Sequence, residues 1–358
     1  MSAAILPNIL APRRESAAEL VRVPTVSVVI PCYNYARFLP AAVQSVLEQD
    51  AVNPDIIIVD DASTDNSAHI ALKMAGSEPR IRVIRHHTNM GHIATYNDGL
   101  CQATGDYVVL LSADDLLAPG SLARSTALME AHPEVGLVYG FASEFSDAPP
   151  PVRPRRTSWT LWSGRQWIQL MFGRGANIIM NPEAVVRRSV LDQLGGYNAG
   201  MPHAADMDFW LRAAAISGVG RVNGPVQAYY RVHGGNMHLT DFGAFIDDIR
   251  ARRQVFEQFA SEPGREQARL LEIARRAMAV EATRLALLSL AKDQDGRQDA
   301  LELADFALET YPYVTDSIIW SWYARCGQKT FRFWLRGYAI LDLWRAKVLW
   351  RIWRRYGV

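Results

Sequence analysis

The sequence reads Tyr107-Val-Val-Leu-Leu-Ser-Ala-Asp-Asp115 at the point that decides the fold. The apolar run over 107–111 has the length and the β-branched or aromatic content of a buried strand, and the adjacent carboxylates of Asp114 and Asp115 follow it. In an open parallel sheet, ligands bind beyond the carboxyl ends of the strands, and hard divalent cations prefer carboxylate oxygens. The pair therefore indicates a metal site, although an isolated Asp-Asp would more simply cap the following helix.

The alternation of strand and helix extends back towards the N-terminus. Apolar runs predict strands over Val26–Ile30, Ile56–Val59 and Arg80–Arg85, and helical periodicity predicts helices over Ala36–Gln49 and Ile93–Ala103. Strands separated by helices of this length form βαβ units with right-handed crossovers. The sequence therefore predicts an α/β fold, with a mostly parallel sheet flanked by helices.

A polar cluster follows each of the four predicted strands. One cluster alone has a simple structural explanation, as a helix cap or a turn. Together they fall on one edge of the sheet. There, an aromatic or amide group beside an acid could bind the base and ribose of a nucleotide, and a carboxylate pair could bind a metal ion on its diphosphate. The clusters are Pro31-Cys-Tyr33-Asn34, Asp60-Asp61-Ala-Ser-Thr-Asp65, Asn89-Met-Gly91-His92 with Asn97-Asp98-Gly99, and Asp114-Asp115.

Two further groups of polar residues lie later in the chain. Asp206 and Asp208 stand at the start of a predicted helix, where the helix dipole favours a carboxylate and where an Asp is usually a cap. His233 and His238 lie in a glycine-containing loop, and His233 is the better candidate for completing a metal shell or contacting a diphosphate. The alternative for His233 is an ordinary polar loop histidine.

These motifs resemble the nucleotide-binding half of the family 2 glycosyltransferases with a GT-A fold. The resemblance covers roughly residues 24–238 and includes the segment around Asp206, which is similar to the family's Glu-Asp-x-Asp-hydrophobic segment. It implies an inverting glycosyltransferase that moves a sugar from a nucleotide-diphosphate sugar, with a UDP-sugar favoured. No Gln-x-x-Arg-Trp segment occurs in the sequence, which argues against a processive synthase.

The resemblance also implies a role for individual residues. Asp206 is the matching position for the catalytic base, with Asp208 as the fallback. The chain has Ala205 where many relatives have Glu, which reduces the usual pair at the base position to Asp206. It has Ser112 where many relatives have an acid, and this leaves open which of Asp114 and Asp115 touches the metal and which the ribose. Mn²⁺ or Mg²⁺ would be held by Asp114, Asp115 and His233, and the nucleotide by Pro31, Tyr33, Asn34, Asp60, Asp61, Asn89, Gly91, Asn97 and Asp114.

Composition and patterning divide the chain into three parts. We predict an N-terminal extension with a short helical piece over 1–23, a GT-A domain over 24–238 and a helical region over 239–358. The three cysteines are far apart, which favours a reducing compartment over a disulfide framework or a zinc site. The N-terminus lacks the charge order of a signal peptide, and no uncharged run of 18 or more apolar residues occurs.

The C-terminal segment 329–358 is basic and amphipathic. It holds eight Lys and Arg against one Asp, a net charge of +7, which leaves −6 for residues 1–328 because the whole chain carries +1. Such a helix is typical of a membrane interface with anionic lipid, and the alternative is a helix packed on the body or on a second subunit of a homo-oligomer. We therefore expect a cytoplasmic protein at the inner face of the cytoplasmic membrane.

The acceptor is indicated less directly than the donor. Basic residues in the proline-rich stretch 146–157 suit a phosphate-bearing acceptor or simply a solvated loop. Trp159, Trp162 and Trp167 are predicted either to stack on a sugar or to pack in the core. We expect a glycan or lipid-linked acceptor of a bacterial surface polysaccharide and no nucleic acid partner, and the alternative is a non-catalytic nucleotide-binding or scaffold relative.

Overall fold

The computed structural model describes residues 12–152, 155–235, 245–291 and 296–326, together with residues 337, 338, 341, 342, 344, 345 and 348. The strands are Arg13–Ser16 (β1), Thr25–Cys32 (β2), Asn53–Asp60 (β3), Ile81–Arg85 (β4), Tyr107–Leu110 (β5), Leu116–Leu117 (β6), Val135–Tyr139 (β7), Ala142–Phe145 (β8), Ser158–Trp162 (β9), Val185–Arg187 (β10), Gly218–Asn223 (β11) and Ala228–Arg231 (β12). The helices are Leu39–Leu47 (α1), Ser67–Ser77 (α2), His92–Cys101 (α3), Ser121–Ala131 (α4), Gly164–Arg174 (α5), Arg188–Leu194 (α6), Ala205–Ile216 (α7), Phe245–Phe259 (α8), Arg265–Ala291 (α9), Gly296–Thr310 (α10) and Ile318–Arg325 (α11).

Nine of the described strands form one sheet in the order β1-β9-β11-β7-β10-β5-β2-β3-β4. Strands β5, β2, β3 and β4 are parallel neighbours, so their carboxyl ends lie at one edge. On the other side, β10 pairs antiparallel with both β5 and β7, and β9 and β1 extend the sheet with antiparallel pairs. The predicted α/β fold with helices flanking a large sheet is confirmed, and the sheet is more mixed than the βαβ pattern indicated.

A second sheet in the described chain brings distant segments to the end of β5. It has the order β6-β12-β8, with β12 antiparallel to β6 and parallel to β8. Because β6 follows the Asp114-Asp115 turn directly, the pairing places the end of β12 beside that turn. This is how the loop of His233 reaches the acid pair.

The core explains the continuous apolar runs of the central strands. Ile56, Ile57, Ile58 and Val59 in β3 are fully buried, as expected for a parallel strand covered on both faces. Helix α3 packs closely on this region. A Cβ added at Gly99 would lie 2.3 Å from Val29 Cγ1, so only a glycine fits there. This close contact fixes α3, which carries several residues of the candidate site, against β2 and β3.

One expectation for the sheet's outer half is wrong, and the structure decides between the two alternatives of another. The short helical piece predicted before residue 24 is not found in residues 12–23, where Arg13–Ser16 forms the edge strand β1 paired with β9. Trp159 and Trp162 lie on strand β9 and are buried, as is Trp167, which is the packing alternative. These indoles therefore pack in the core and are not available to stack on a sugar.

The chain divides into two compact units, Met1–Ile168 with Ile179–Gly234, and Gln169–Ile178 with Gly235–Val358. The second unit contains α8 to α11, where the buried guanidinium of Arg252 donates to the Gly175 carbonyl at 2.7 Å and contacts Glu281 at 2.9 Å. None of the helices in the described ranges combines the length and hydropathy needed to cross a bilayer. His238 and most of the basic segment 329–358 lie outside the described residues.

Candidate active site

Asn34 joins the loops that follow β2 and β3. Its backbone adopts φ 60°, a left-handed conformation that asparagine tolerates. Its side-chain Oδ1 accepts hydrogen bonds from the backbone N–H groups of Thr64 at 2.8 Å and Asp65 at 3.2 Å. The first two polar clusters therefore lie together at the sheet edge, and the Asn34 side chain is used to hold them there.

Asp61 fixes the third cluster in the same way. Its carboxylate accepts the backbone N–H groups of Met90 at 2.7 Å and Gly91 at 3.0 Å, and His86 Nδ1 lies 2.7 Å from Oδ1. Burial raises the pKa of Asp61, but these hydrogen bonds outweigh burial and lower its pKa below the usual value. Asp61 is therefore an ionised anchor for the loop that begins α3.

The other predicted nucleotide residues differ in what they offer a ligand. Tyr33 is 44% exposed, so its ring is open to a base. Asn89 is exposed, and its Oδ1 accepts the Gly91 N–H at 3.0 Å. Asp60 is buried, and neither of its oxygens has a hydrogen-bond partner among the described residues, although Arg85 Nε lies 3.9 Å away. Pro31, at the end of β2, is half-buried.

The acid pair lies under the loop that follows β12. Asp114 and Asp115 are 5% and 1% exposed. Asp115 Oδ1 accepts the backbone N–H of Arg231 at 2.8 Å, and Asp114 Oδ2 lies 3.0 Å from His233 Nε2. Burial and then the charge of Asp114 raise the pKa of Asp115 well above its usual value. The sheet edge therefore holds two buried acids whose negative charges oppose each other.

Arg231 ties this pair to the rest of the unit, and the sequence analysis did not single it out. Its Nε donates to the Asp114 carbonyl at 2.8 Å, and its Nη1 donates to the Ser146 carbonyl at 3.2 Å. The guanidinium carbon lies 4.6 Å from the ring centroid of Phe38 and 4.3 Å from that of Phe145. Its position, two residues before His233 and at the end of a strand, is the only signal in the sequence.

The donor set fits a hard divalent cation that takes part of its shell from a substrate. Asp115 Oδ2 is buried without a hydrogen-bond partner in the described part of the chain, and a carboxylate and an imidazole of Asp114 and His233 stand beside it. Across the described ranges, no group of three or more His, Cys, Asp or Glu is placed to hold a metal unaided. Mg²⁺ is commonly held by one or two carboxylates together with substrate phosphates, which is what this arrangement offers.

Asp206 and Asp208 have different surroundings at the start of α7. Asp208 is buried and its Oδ2 accepts from Arg212 Nε at 2.8 Å, so it belongs to a structural ion pair. Asp206 is half-buried, and its Oδ1 accepts the N–H of Met207 at 2.7 Å. Of the two acids, Asp206 is the better placed to meet a substrate.

Tyr96 on α3 was not singled out by the sequence analysis. Burial, followed by the charges of Asp206, Asp114 and Asp115, raises the pKa of its phenol. Its hydroxyl is therefore neutral.

An acid pair at the carboxyl edge of a parallel sheet, together with a half-buried carboxylate at the start of a helix, is compatible with an α/β group-transfer enzyme. The family model described as "Glycosyl transferase family 2" matches residues 27–195. A PGL/p-HBAD biosynthesis glycosyltransferase of Mycobacterium bovis is 30% identical over 190 residues, covering 53% of this chain and 69% of the relative. An O-antigen biosynthesis protein of Myxococcus xanthus is 30% identical over 241 residues, covering 65% of this chain and 18% of that protein.

Solved structures with the same fold include two complexes with nucleotide sugars. Residues 1–349 of S. aureus TarS in complex with UDP-GlcNAc match with a TM-score of 0.61 and 16% identity, covering 86% of this chain and 88% of that chain. The mannosyltransferase PcManGT of Pyrobaculum calidifontis with GDP-Man and Mn²⁺ matches with a TM-score of 0.52 and 19% identity, covering 91% and 90%. The chain belongs to glycosyl transferase family 2, and it is a glycosyltransferase with a GT-A fold.

Proposed function

We propose that the protein is an inverting, non-processive glycosyltransferase that moves a sugar from a UDP-sugar to a hydroxyl of a glycan or a lipid-linked acceptor. The observation that carries this proposal is the Asp114–Asp115 pair, which is buried at the carboxyl edge of the parallel sheet with Asp115 Oδ2 unpartnered among the described residues. The half-buried Asp206 at the start of α7 supplies a separate carboxylate. A base on one side and a diphosphate site on the other is what a single displacement at an anomeric carbon requires. The O-antigen and PGL/p-HBAD relatives support a surface glycan or a glycolipid as the acceptor.

In the proposed reaction Asp206 takes the proton from the acceptor hydroxyl. The acceptor oxygen forms a bond to the anomeric carbon from the face opposite the nucleotide, and the bond from that carbon to the diphosphate oxygen breaks. The electron pair of the broken bond leaves with the diphosphate, so one displacement inverts the anomeric centre. The Tyr96 hydroxyl stays protonated, because burial raises the pKa of its phenol.

The donor would lie along the edge formed by the ends of β2 to β5. Tyr33 would stack on the base, and Asn34, Asp60, Asp61, Asn89 and Gly91 would shape or line the nucleoside site. Asp114, Asp115 and His233 would hold Mn²⁺ or Mg²⁺, which when bound neutralises charge on the leaving diphosphate. Arg231 would keep the acid pair in place through its bond to the Asp114 carbonyl.

Calorimetry with nucleoside diphosphates tests the donor site. We expect UDP to bind in the presence of Mn²⁺ more tightly than GDP, CDP or dTDP, and its affinity to fall at least about tenfold without the metal or when both Asp114→Ala and Asp115→Ala are introduced. Gln193→Ala is the matched control, since Gln193 is exposed on α6 and its amide donates to Ser189 of the same helix. Preference for GDP would replace UDP as the donor class, and no binding of any of the four would overturn the proposed function.

We also propose that residues 329–358 contact the inner face of the cytoplasmic membrane. This proposal rests on the +7 charge of the segment and on its apolar periodicity. Helix α11, which precedes it, has no buried residue, and Ile318 and Trp322 are 72% and 40% exposed. Exposed aromatic and aliphatic side chains beside a basic segment suit the headgroup region of an anionic bilayer.

Sedimentation with lipid vesicles tests the membrane contact. We expect binding to vesicles that contain phosphatidylglycerol, none to pure phosphatidylcholine, and release at high salt because the attraction is electrostatic. The triple variant Arg351→Glu, Arg354→Glu, Arg355→Glu should lower the affinity by at least about 100-fold, since each basic residue contributes about 1 kcal/mol. Equal binding to both lipids, or to neither, would contradict the proposal, and a dimer in solution would favour the second-subunit alternative.

A further inference from the structure

A short loop, residues 195–204, leads directly into α7, which begins at Ala205 and carries Asp206 at its second position, and we call this loop the base loop. Asn97 on α3 binds this loop with both ends of its amide. Its Nδ2 donates to the Tyr197 carbonyl at 2.9 Å, and its Oδ1 accepts the Tyr197 N–H at 2.7 Å. The side chain therefore pairs with the backbone of Tyr197 as a neighbouring strand would, across 100 positions of sequence.

The base loop is built to accept this contact. Gly196 has φ +99°, a conformation that L side chains rarely adopt. A Cβ at Gly196 would lie 2.5 Å from Asn97 Oδ1, so the approach of the amide leaves no room for a side chain. A glycine at this position is therefore required by the pairing with Asn97 as well as by the turn.

Two further anchors hold the loop at its ends. His92, at the first position of α3, has its Nε2 3.0 Å from the carbonyl oxygen of Pro202. From α7, Arg212 donates to the carbonyls of Leu194 at 3.2 Å and Gly196 at 2.8 Å. The loop is thus fixed by backbone contacts at three of its own residues and at Leu194 just before it, and Asn97 supplies the only anchor among these that uses both a donor and an acceptor.

We infer that Asn97 is a positioning residue for Asp206 and acts through the base loop rather than by contacting the nucleotide. This inference rests on the proposed function, in which Asp206 is the base. The N-terminal end of α3 is held by the bonds of Asp61 to Met90 and Gly91, so one helix joins the nucleotide edge to the base loop. A displacement of a reacting group by about 1 Å costs about 100-fold in rate.

The experiment compares two asparagines that each hold a loop. Asn97→Ala should lower the rate of sugar transfer, measured as formation of the nucleoside diphosphate product, by about 10- to 100-fold. Its affinity for that nucleoside diphosphate should stay within about twofold of the wild type. Asn34→Ala should instead weaken diphosphate binding, because Asn34 holds the loop after β3. Gln193→Ala should change neither quantity, since its side chain is exposed on α6.

Hydrogen exchange read by mass spectrometry follows the loop without any substrate. In Asn97→Ala, backbone amides in peptides covering 195–204 should exchange at least about tenfold faster, and those covering β3 should not change. Asn97→Asp keeps the acceptor for the Tyr197 N–H but loses the donor, so it should give a smaller increase and a smaller loss of rate. It also provides the test if the alanine variant does not fold.

Each result bears on one claim. Faster exchange in the base loop, slower turnover and unchanged diphosphate affinity would support the positioning role. Weaker diphosphate binding by Asn97→Ala with unchanged exchange in 195–204 would overturn it and return Asn97 to the nucleotide site. If the wild type binds no diphosphate at all, the proposed function fails, while the exchange measurement still decides whether Asn97 holds the loop.

Discussion

Replacing Asp206 with Asn is expected to lower the rate of sugar transfer by about 10²- to 10⁴-fold, the range that a positioned general base contributes. The amide keeps the shape of the side chain and can still accept the Met207 N–H that Asp206 Oδ1 accepts at 2.7 Å. It cannot take a proton from an acceptor hydroxyl. Since Asp206 is separate from the acid pair, diphosphate affinity measured by calorimetry should stay within about twofold of the wild type.

Asp208→Asn is the matched control, because the two acids stand two positions apart on the same helix. Asp208 accepts from Arg212 Nε at 2.8 Å and is buried, so its loss should act mainly on stability. We expect denaturant unfolding to show a decrease of about 1–3 kcal/mol for Asp208→Asn, and a smaller change for Asp206→Asn. A larger loss of turnover in Asp208→Asn than in Asp206→Asn would identify Asp208 as the base instead.

The central strands could be predicted from the sequence because burial on both faces leaves a continuous apolar run. The predicted strand over Ile56–Val59 lies within β3, and the predicted strand over Arg80–Arg85 differs from β4 by one residue. The edge strand β1 has no such signal, since Arg-Arg-Glu-Ser contains no apolar residue. It is stabilised by pairing with β9 and by the contact of Glu15 with His132, both of which depend on residues more than 100 positions away.

The candidate site shows the same division between local pattern and tertiary contact. The acid pair and Asp206 could be predicted because carboxylates at a strand end and at a helix start are visible in the sequence. Asn34 and Asn97 were predicted to bind nucleotide, and the structure places their amides on the backbones of Thr64 and Tyr197. Whether such an amide faces a ligand or a loop is decided by the packing of its element, which a motif does not contain.

The guanidinium of Arg231 makes tertiary contacts that no sequence motif indicated. Its removal is expected to have a large effect on both the free energy of unfolding and diphosphate binding. Arg231→Met keeps the backbone N–H that Asp115 accepts but leaves the Asp114 and Ser146 carbonyls without this donor. Buried acceptors that lose their partner cost about 1–3 kcal/mol each, so we expect the free energy of unfolding to fall by about 2–4 kcal/mol. Arg231→Lys should not restore it, since an ammonium lacks the planar fork and stacks poorly between Phe38 and Phe145.

Arg37→Met is the matched control, because it also removes a positive charge beside Phe38. Arg37 is exposed, and its guanidinium carbon lies 4.1 Å from the Phe38 ring centroid. An exposed cation–π contact contributes about 0.5–1 kcal/mol, so denaturant unfolding should change by no more than about 1 kcal/mol. Arg231→Met should also weaken Mn²⁺-dependent diphosphate binding at least about tenfold, since the turn that carries both acids loses its anchor, whereas Arg37→Met should not. If Arg231→Met bound the diphosphate as the wild type does, the acid pair would be held by the β6–β12 pairing alone, and Arg231 would be a structural residue with no part in the site.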